Sequence, residues 1–324
     1  MRAVLTWIGR GLIILLAGIA AMWAFAPREP VDLNARFDDG LLSGGVDTYL
    51  AGREARFADI RPGQEKQMIW ANAPGMKTPI SLVYIHGFSA SSAEIRPVPD
   101  RLAAKLGANL FFTRLAGHGR TGDAMAGPTV NDWMQDVAEA LAIGRATGDR
   151  VIVLSTSTGA TLSALAAANP EMMQRVAGVA MISPNFKVKN PAAQILTWPG
   201  VRWWGPLVAG KTRGFEARTP EQLQSWTTSY PTVALLPMAQ SVRAARQMDP
   251  AGATVPALFL FDPEDPVVDH TETLAVAANW GGPVTLLQVR VGDADDRHVI
   301  AGDILSPGQT DATVARLAEW VAGL

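Results

Sequence analysis

Val151-Ile152-Val153-Leu154-Ser155-Thr156-Ser157-Thr158-Gly159-Ala160-Thr161-Leu162 runs from an apolar strand, through a turn of small residues, into the helix-forming string 160–168. A serine on such a bend has its hydroxyl lifted clear of the backbone, and the residues two before and two after it must be small to avoid collision. Ser157 meets both conditions, flanked by Ser155 and Gly159, whereas Ser155 in the same place would need a small residue at Val153. The following helix turns its free amides and the positive end of its dipole toward the bend, which favours a developing oxyanion. Ser155 occupies the first glycine position of G-x-S-x-G, so the bend is expected to be strained.

Outward from this string, short apolar runs alternate with amphipathic segments. The runs at 80–85, 109–113, 150–154, 177–182, 256–261 and 283–289 are too short and too uniformly apolar for surface helices, and match strands covered on both faces. Between Asn131 and Arg145, Trp133, Val137 and Leu141 recur four apart, behind Thr129 and Asp132 in a capping-box relation. The stretch from Asp311 to Leu324 repeats the pattern with Val314, Leu317 and Val321. Such alternation predicts an α/β fold: a doubly wound, mostly parallel sheet between helices, with chemistry at the carboxyl ends of its strands. The interval from Ile182 to Pro256 is far longer than a crossover needs and predicts a helical cap insert over about 184–254. Trp198, Trp203, Trp204 and Trp226 fall in it with Leu196, Leu207, Leu223, Leu235 and Leu236; they read either as the insert's own small core or as the lining of an apolar pocket. Two runs at 55–60 and 66–71 around Arg61-Pro62-Gly63-Gln64 predict an antiparallel N-terminal hairpin.

Three further strings fall at strand ends. His86-Gly87-Phe88-Ser89 follows the first central strand, where the Phe88 amide can join that of Thr158 as the two donors a tetrahedral intermediate requires. Asp262-Pro263-Glu264-Asp265-Pro266-Val267-Val268 follows the strand ending at Phe261 and offers three carboxylates, and Asp296-Arg297-His298-Val299 follows the last strand. Of the four histidines, His86 and His118 precede Ser157 and read as bonded within their own loops. His270 follows Asp265 too closely to be delivered by a separate strand, and reads as a surface or helix-start residue. That leaves His298 as the candidate base.

Serine, carboxylate, histidine is the chain order of the α/β-hydrolase triad. With the Leu115-Ala116-Gly117-His118-Gly119 turn, the chain resembles the α/β-hydrolase superfamily from about Ile80 to Ile300. It is most similar to serine esterases and lipases such as bacterial carboxylesterases and monoacylglycerol-lipase-like enzymes. The resemblance implies that Asp265, followed by Pro266-Val267-Val268, is the acid that orients the imidazole. It also implies that His298 is the general base toward Ser157 and then the acid toward the leaving alcohol.

Other chemistry is set aside on the residues themselves. With 28 Lys+Arg against 30 Asp+Glu there is no field for nucleic acid, and zero cysteines exclude disulfides, thiolate metal sites and a cysteine nucleophile. Gly117-His118-Gly119-Arg120-Thr121-Gly122 spells G-x-G-x-x-G but opens no helix for a pyrophosphate. The acidic strings at 262–269 and 293–296 lack the alternating ligands of a calcium loop. No metal or organic cofactor is expected.

Residues 11–26, GLIILLAGIAAMWAFA, carry no charge and span roughly 24 Å at about 1.5 Å per residue; Val4 to Arg10 extends them to a hydrocarbon core's width. Ala24-Phe25-Ala26 has the form of a cleavage site, but Pro27 would then be the first mature residue, a poor peptidase substrate. Residues 1–26 are therefore read as an uncleaved membrane anchor, 27–52 as a loosely packed stalk, and 53–324 as the hydrolase domain, expected on the non-cytoplasmic side of the membrane, in a bacterial periplasm. The expected activity is cleavage of hydrophobic or lipid-like carboxylic esters. A thioesterase or acyltransferase would use the same residues, and a catalytically silent binding protein is the alternative of a different class.

Overall fold

The computed structural model describes residues 2–324. Its helices are α1 (Arg2–Phe25), α2 (Val46–Glu54), α3 (Val98–Leu106), α4 (Val130–Thr147), α5 (Thr158–Ala167), α6 (Val201–Ala209), α7 (Pro220–Ser225), α8 (Leu235–Gln247), α9 (His270–Ala278) and α10 (Thr310–Ala322). The strands are β1 (Gln67–Ile69), β2 (Thr78–Ile85), β3 (Asn109–Phe112), β4 (Gly148–Thr156), β5 (Val176–Ile182), β6 (Thr212–Gly214), β7 (Ser229–Pro231), β8 (Ala257–Phe261) and β9 (Val284–Gln288). Seven strands form one sheet in the order β1-β3-β2-β4-β5-β8-β9, and β6 pairs with β7 apart from it. Every pairing in the large sheet is parallel except β1 with β3.

Alternate residues of the central strands serve two cores. Val83, Ile85, Val151, Val153, Val179 and Met181 pack with α4, α5 and α8 on one face. Leu82, Tyr84, Ile152, Leu154, Ala180 and Ile182 pack with α3 and α10 on the other. This is why these strands read as unbroken apolar runs. The α4 start is held as its sequence suggests: the Thr129 side chain accepts from the Asp132 amide while Asp132 accepts from the Thr129 amide, which satisfies two orphan donors.

Three expectations are corrected. The hairpin does not form: Pro62-Gly63 does make a turn, closed by the Gln64 amide on the Arg61 carbonyl, but 55–60 stays in turns. Gln67–Ile69 instead adds antiparallel to β3, because the free edge of the parallel sheet offers more hydrogen bonds than a lone hairpin, and Phe57 is held beneath the guanidinium groups of Arg114 and Arg120. β9 is not covered on both faces; it is an edge strand with Val284 and Leu286 exposed.

The third correction is that residues 27–52 are no loose stalk. Ala35, Val46 and Leu50 enter the core beside α4, with Leu33, Phe37, Leu42 and Tyr49 packed against it. Its polar residues are bonded to the body: Tyr49 donates to Glu139 (2.5 Å), and Glu29 pairs with Arg202 of α6. Glu139 belongs in turn to a buried group in which the Lys66 ammonium meets Asp136 (2.9 Å) and Glu139. The second Asp136 oxygen accepts from the Ala116 amide (2.6 Å).

The segment between β5 and β8 holds α6, β6, α7, β7 and α8. α8 places Met238, Val242 and Ala245 in the main core, while α6 leaves Trp203, Leu207 and Val208 exposed. α1 is one helix long and apolar enough to cross a membrane, over Trp7–Phe25. Directly after it, the Pro27 carbonyl accepts from the Gly200 amide (2.8 Å) at the start of α6.

Candidate active site

Parallel pairing sets Ile85 of β2 beside Ser155 of β4, so the loops leaving these strands meet at their carboxyl ends. Ser157 occupies the bend between β4 and α5 with φ 52° and ψ −115°, a region that costs a non-glycine residue about 1–3 kcal/mol. Neighbouring backbone holds it there: its amide donates to the Ile182 carbonyl (2.9 Å), and its carbonyl accepts from the Asn185 amide (3.2 Å). Ser155 is fully buried, and its hydroxyl donates to the Ala180 carbonyl (3.3 Å). The extra hydroxyl in place of glycine is thus satisfied. Gly159 has no such latitude, since a Cβ there would lie 2.2 Å from the Ile85 carbonyl oxygen and 2.6 Å from that of His86.

His298, in the loop after β9, faces Ser157 with Nε2 3.0 Å from Oγ. Its Nδ1 lies 2.7 Å from Asp265 Oδ2. The other Asp265 oxygen accepts from the amides of Val267 (2.7 Å) and Val268 (3.0 Å), so this fully buried carboxylate is aimed by its own turn. The two neighbouring acids are occupied elsewhere. Asp262 accepts from the amides of Glu264 and Val291, tying together the loops after β8 and β9, and Glu264 pairs with Arg297. Burial opposes the charged imidazolium of His298, but the Asp265 carboxylate, by charge and hydrogen bond, and Asp296 outweigh it, and the pKa is raised.

Asp296 stands two residues before His298 in the same loop. Its Oδ1 accepts from the amides of His298 and Val299, both at 2.7 Å, forming the turn that presents the imidazole. Its Oδ2 pairs with Arg218 from the insert (2.7 Å). An aspartate two residues before the histidine was the available clue.

The other histidines lie apart from this chain of bonds. His86 Nε2 accepts from the Leu115 amide (3.1 Å), which leaves Nδ1–H to donate to the Gly87 carbonyl (2.8 Å). Burial pushes its pKa down to about 4, so it stays neutral. His118 is likewise pushed down by burial and lies against Phe88 and Trp133. His270 begins α9 and stacks on Phe261.

The Phe88 loop approaches the serine from the β2 side: a Cβ on Gly87 would lie 3.2 Å from Ser157 Cβ. The Phe88 amide shares its peptide plane with the Gly87 carbonyl that His86 holds, and Thr158 is the first residue of α5. An apolar cavity of about 550 Å³ opens in the insert, lined among others by Leu196, Trp204, Leu235, Leu236, Tyr230 and Met238. It borders the site at two points: the Tyr230 ring meets Phe88 (5.2 Å), and Met238 Sδ is 3.6 Å from Asn185. Of the two expectations for the insert's tryptophans, the pocket lining holds for Trp204, and none of Trp203, Trp204 and Trp226 forms a separate core of the insert. Trp204 lines this cavity, Trp226 is buried in the core, and Trp203 is exposed.

The family model described as serine aminopeptidase, S33 (Hydrolase_4) matches residues 78–289. Among curated proteins, none matches the chain in sequence. Among solved structures, the chain is similar to a metagenome-derived lipolytic enzyme of the LipS and LipT pair, with 21% identity and a TM-score of 0.67 over 82% of this chain and 100% of that one. It is also similar to the monoacylglycerol lipase of Paleococcus ferrophilus, at 12% identity and a TM-score of 0.60 over 80% and 98%. A soluble variant of the monoglyceride lipase of Saccharomyces cerevisiae gives 14% and 0.59 over 80% and 90%. These likenesses establish the α/β-hydrolase fold.

Proposed function

Because the chain belongs to the serine aminopeptidase S33 family (Hydrolase_4), we propose that it is a serine hydrolase that cleaves carboxylic esters of apolar acyl groups. The observation that carries this is the unbroken run of hydrogen-bonding distances from Ser157 Oγ through His298 to Asp265. Ser157 Oγ attacks the ester carbonyl carbon as its proton passes to His298 Nε2. The carbonyl oxygen takes up the negative charge and is held by the Phe88 and Thr158 amides. Collapse breaks the bond to the alcohol oxygen, and His298 returns the proton to that leaving group. Water, deprotonated by His298, then attacks the acyl-serine, and a second collapse frees the carboxylic acid and restores the Ser157 hydroxyl. Asp265 keeps Nδ1 protonated and Nε2 free to accept throughout.

Substrate class is inferred from the cavity beside Phe88 and Asn185, whose aliphatic and aromatic lining suits an acyl chain better than a polar group. Residues 1–26 are proposed to anchor the protein in a membrane, with the catalytic domain on the non-cytoplasmic side. The exposed Trp203, Leu207 and Val208 of α6 stand where the chain leaves α1, which supports a lipid-like substrate. The proposed catalytic domain begins at about residue 27, because 27–52 pack into its core, and runs to 324 with its insert at 184–254.

Profiling p-nitrophenyl esters of graded acyl length tests the substrate reading. kcat/KM should rise by at least about tenfold from acetate to a medium-chain ester, since each buried methylene contributes about 0.8 kcal/mol. An aminoacyl p-nitroanilide should turn over more slowly than any of the esters. Acetate as the best ester would contradict the apolar acyl reading, and a faster anilide would contradict ester cleavage as the main reaction.

A further inference from the structure

Glu94 takes no part in the reaction drawn above, yet it is a buried carboxyl within reach of its machinery. It lies in the loop between β2 and α3, 3% exposed, and no cation pairs with it among the described residues. Burial pushes its pKa up to about 7, against the pull of hydrogen bonds from the Gly87 amide and the Tyr84 hydroxyl and of nearby His298. Both donors reach one oxygen: Gly87 N–H lies 2.8 Å and Tyr84 Oη 2.7 Å from Oε2. Tyr84 Oη is also 3.1 Å from Thr156 Oγ1, and Thr156 directly precedes Ser157. The other oxygen sits under Gly87 on the serine side, where a Cβ on Gly87 would be 2.6 Å from Oε1 and 3.2 Å from Ser157 Cβ.

We propose that Glu94 is a positioning residue for the oxyanion hole, fixing the direction of the Phe88 amide and its spacing from the serine bend. This rests on the reading of Ser157 as nucleophile. Gly87 has no Cβ to restrict its backbone, so the direction of the next amide must be set by outside bonds. His86 holds the Gly87 carbonyl and Glu94 holds the Gly87 N–H, which fixes the peptide planes on both sides of one Cα. The Phe88 N–H, anti to the Gly87 carbonyl, then has a single direction. Through Tyr84 the same carboxyl reaches Thr156, linking the ends of β2 and β4 from which the two donor amides come. The job needs an acceptor oxygen at that distance and no net charge.

The test compares Glu94→Gln, Glu94→Asp and Glu94→Ala on one ester, with inhibition by an alkyl trifluoromethyl ketone, which forms a tetrahedral oxyanion on a serine. Gln keeps the acceptor and should hold kcat within about threefold of wild type. Asp, one methylene short, and Ala should lower kcat by about 10–100-fold, less than outright loss of a donor, with KM within about twofold. Ketone Ki should rise by the same factor as kcat falls. Should Ala fail to fold, the Gln and Asp pair still decides. Asp outperforming Gln would assign the role to charge and overturn the proposal, as would a loss confined to KM or a Ki that does not follow kcat. Failure of the nucleophile reading looks different, since the wild type itself would then show no ketone inhibition.

Discussion

Asp265→Asn is expected to lower kcat by about 10⁴-fold, the effect this exchange has in other Ser-His-Asp sites, with little change in folding. The variant keeps the shape of the side chain but turns one carboxylate oxygen into a donor. If the amide group faces His298, Nδ1 must become the acceptor, and the ring proton moves to Nε2, where it points at Ser157 Oγ and cannot accept from it. If the side chain flips, the amides of Val267 and Val268 lose their acceptor and the turn that aims the residue is broken. Either arrangement removes the base. A pH effect follows with a definite sign. His298 must be neutral to take the serine proton, so activity falls as pH drops through its pKa, and Asp265 holds that pKa above its ordinary value. The acidic limb of the residual kcat/KM should therefore move to lower pH in the variant. A limb that stays in place would assign it to another group.

Gly159→Ala is expected to destabilise the protein by about 3 kcal/mol or more, in the upper range of single-residue effects. Its Cβ would sit 2.2 Å from the Ile85 carbonyl oxygen and 2.6 Å from that of His86. Both obstacles are backbone of the central strand and the loop after it, so no side chain can swing away. α5 must move off β2, carrying the Ser157 bend with it, so the remaining folded fraction should also lose activity. Urea unfolding monitored by tryptophan fluorescence gives the first quantity and ester turnover per folded molecule the second. A variant as stable and active as wild type would mean that α5 does not start against β2 as described.

These two positions illustrate what could be read from the chain. The need for small residues around Ser157 is a local steric rule, so the bend and Gly159 were visible without any tertiary knowledge. The layered sheet was equally legible, because strands buried on both faces leave continuous apolar runs. The choice among Asp262, Glu264 and Asp265 was not local. It depends on Asp262 being taken by amides from two loops and on Glu264 meeting Arg297, and only the resemblance pointed to Asp265 beforehand.

The hairpin misreading has the same root. Pro62-Gly63 encodes a turn, but a strand's partner is decided by which edge is free, and that edge belongs to β3. In 27–52, the alternation of Leu33, Ala35 and Phe37 is masked by intervening polar residues, of which Arg36 pairs with distant Glu171 (3.3 Å). Asp296 and Glu94 were overlooked because their importance lies in which backbone amides they reach.

The central claim is that Ser157, activated by His298, is the nucleophile. Intact-protein mass spectrometry after treatment with a fluorophosphonate tests it most directly. The wild type should gain a single phosphonyl adduct that peptide mapping places on Ser157, and Ser157→Ala and His298→Ala should both remain unmodified over the same period. An adduct on any other residue, or equal labelling of Ser157→Ala, would contradict the account.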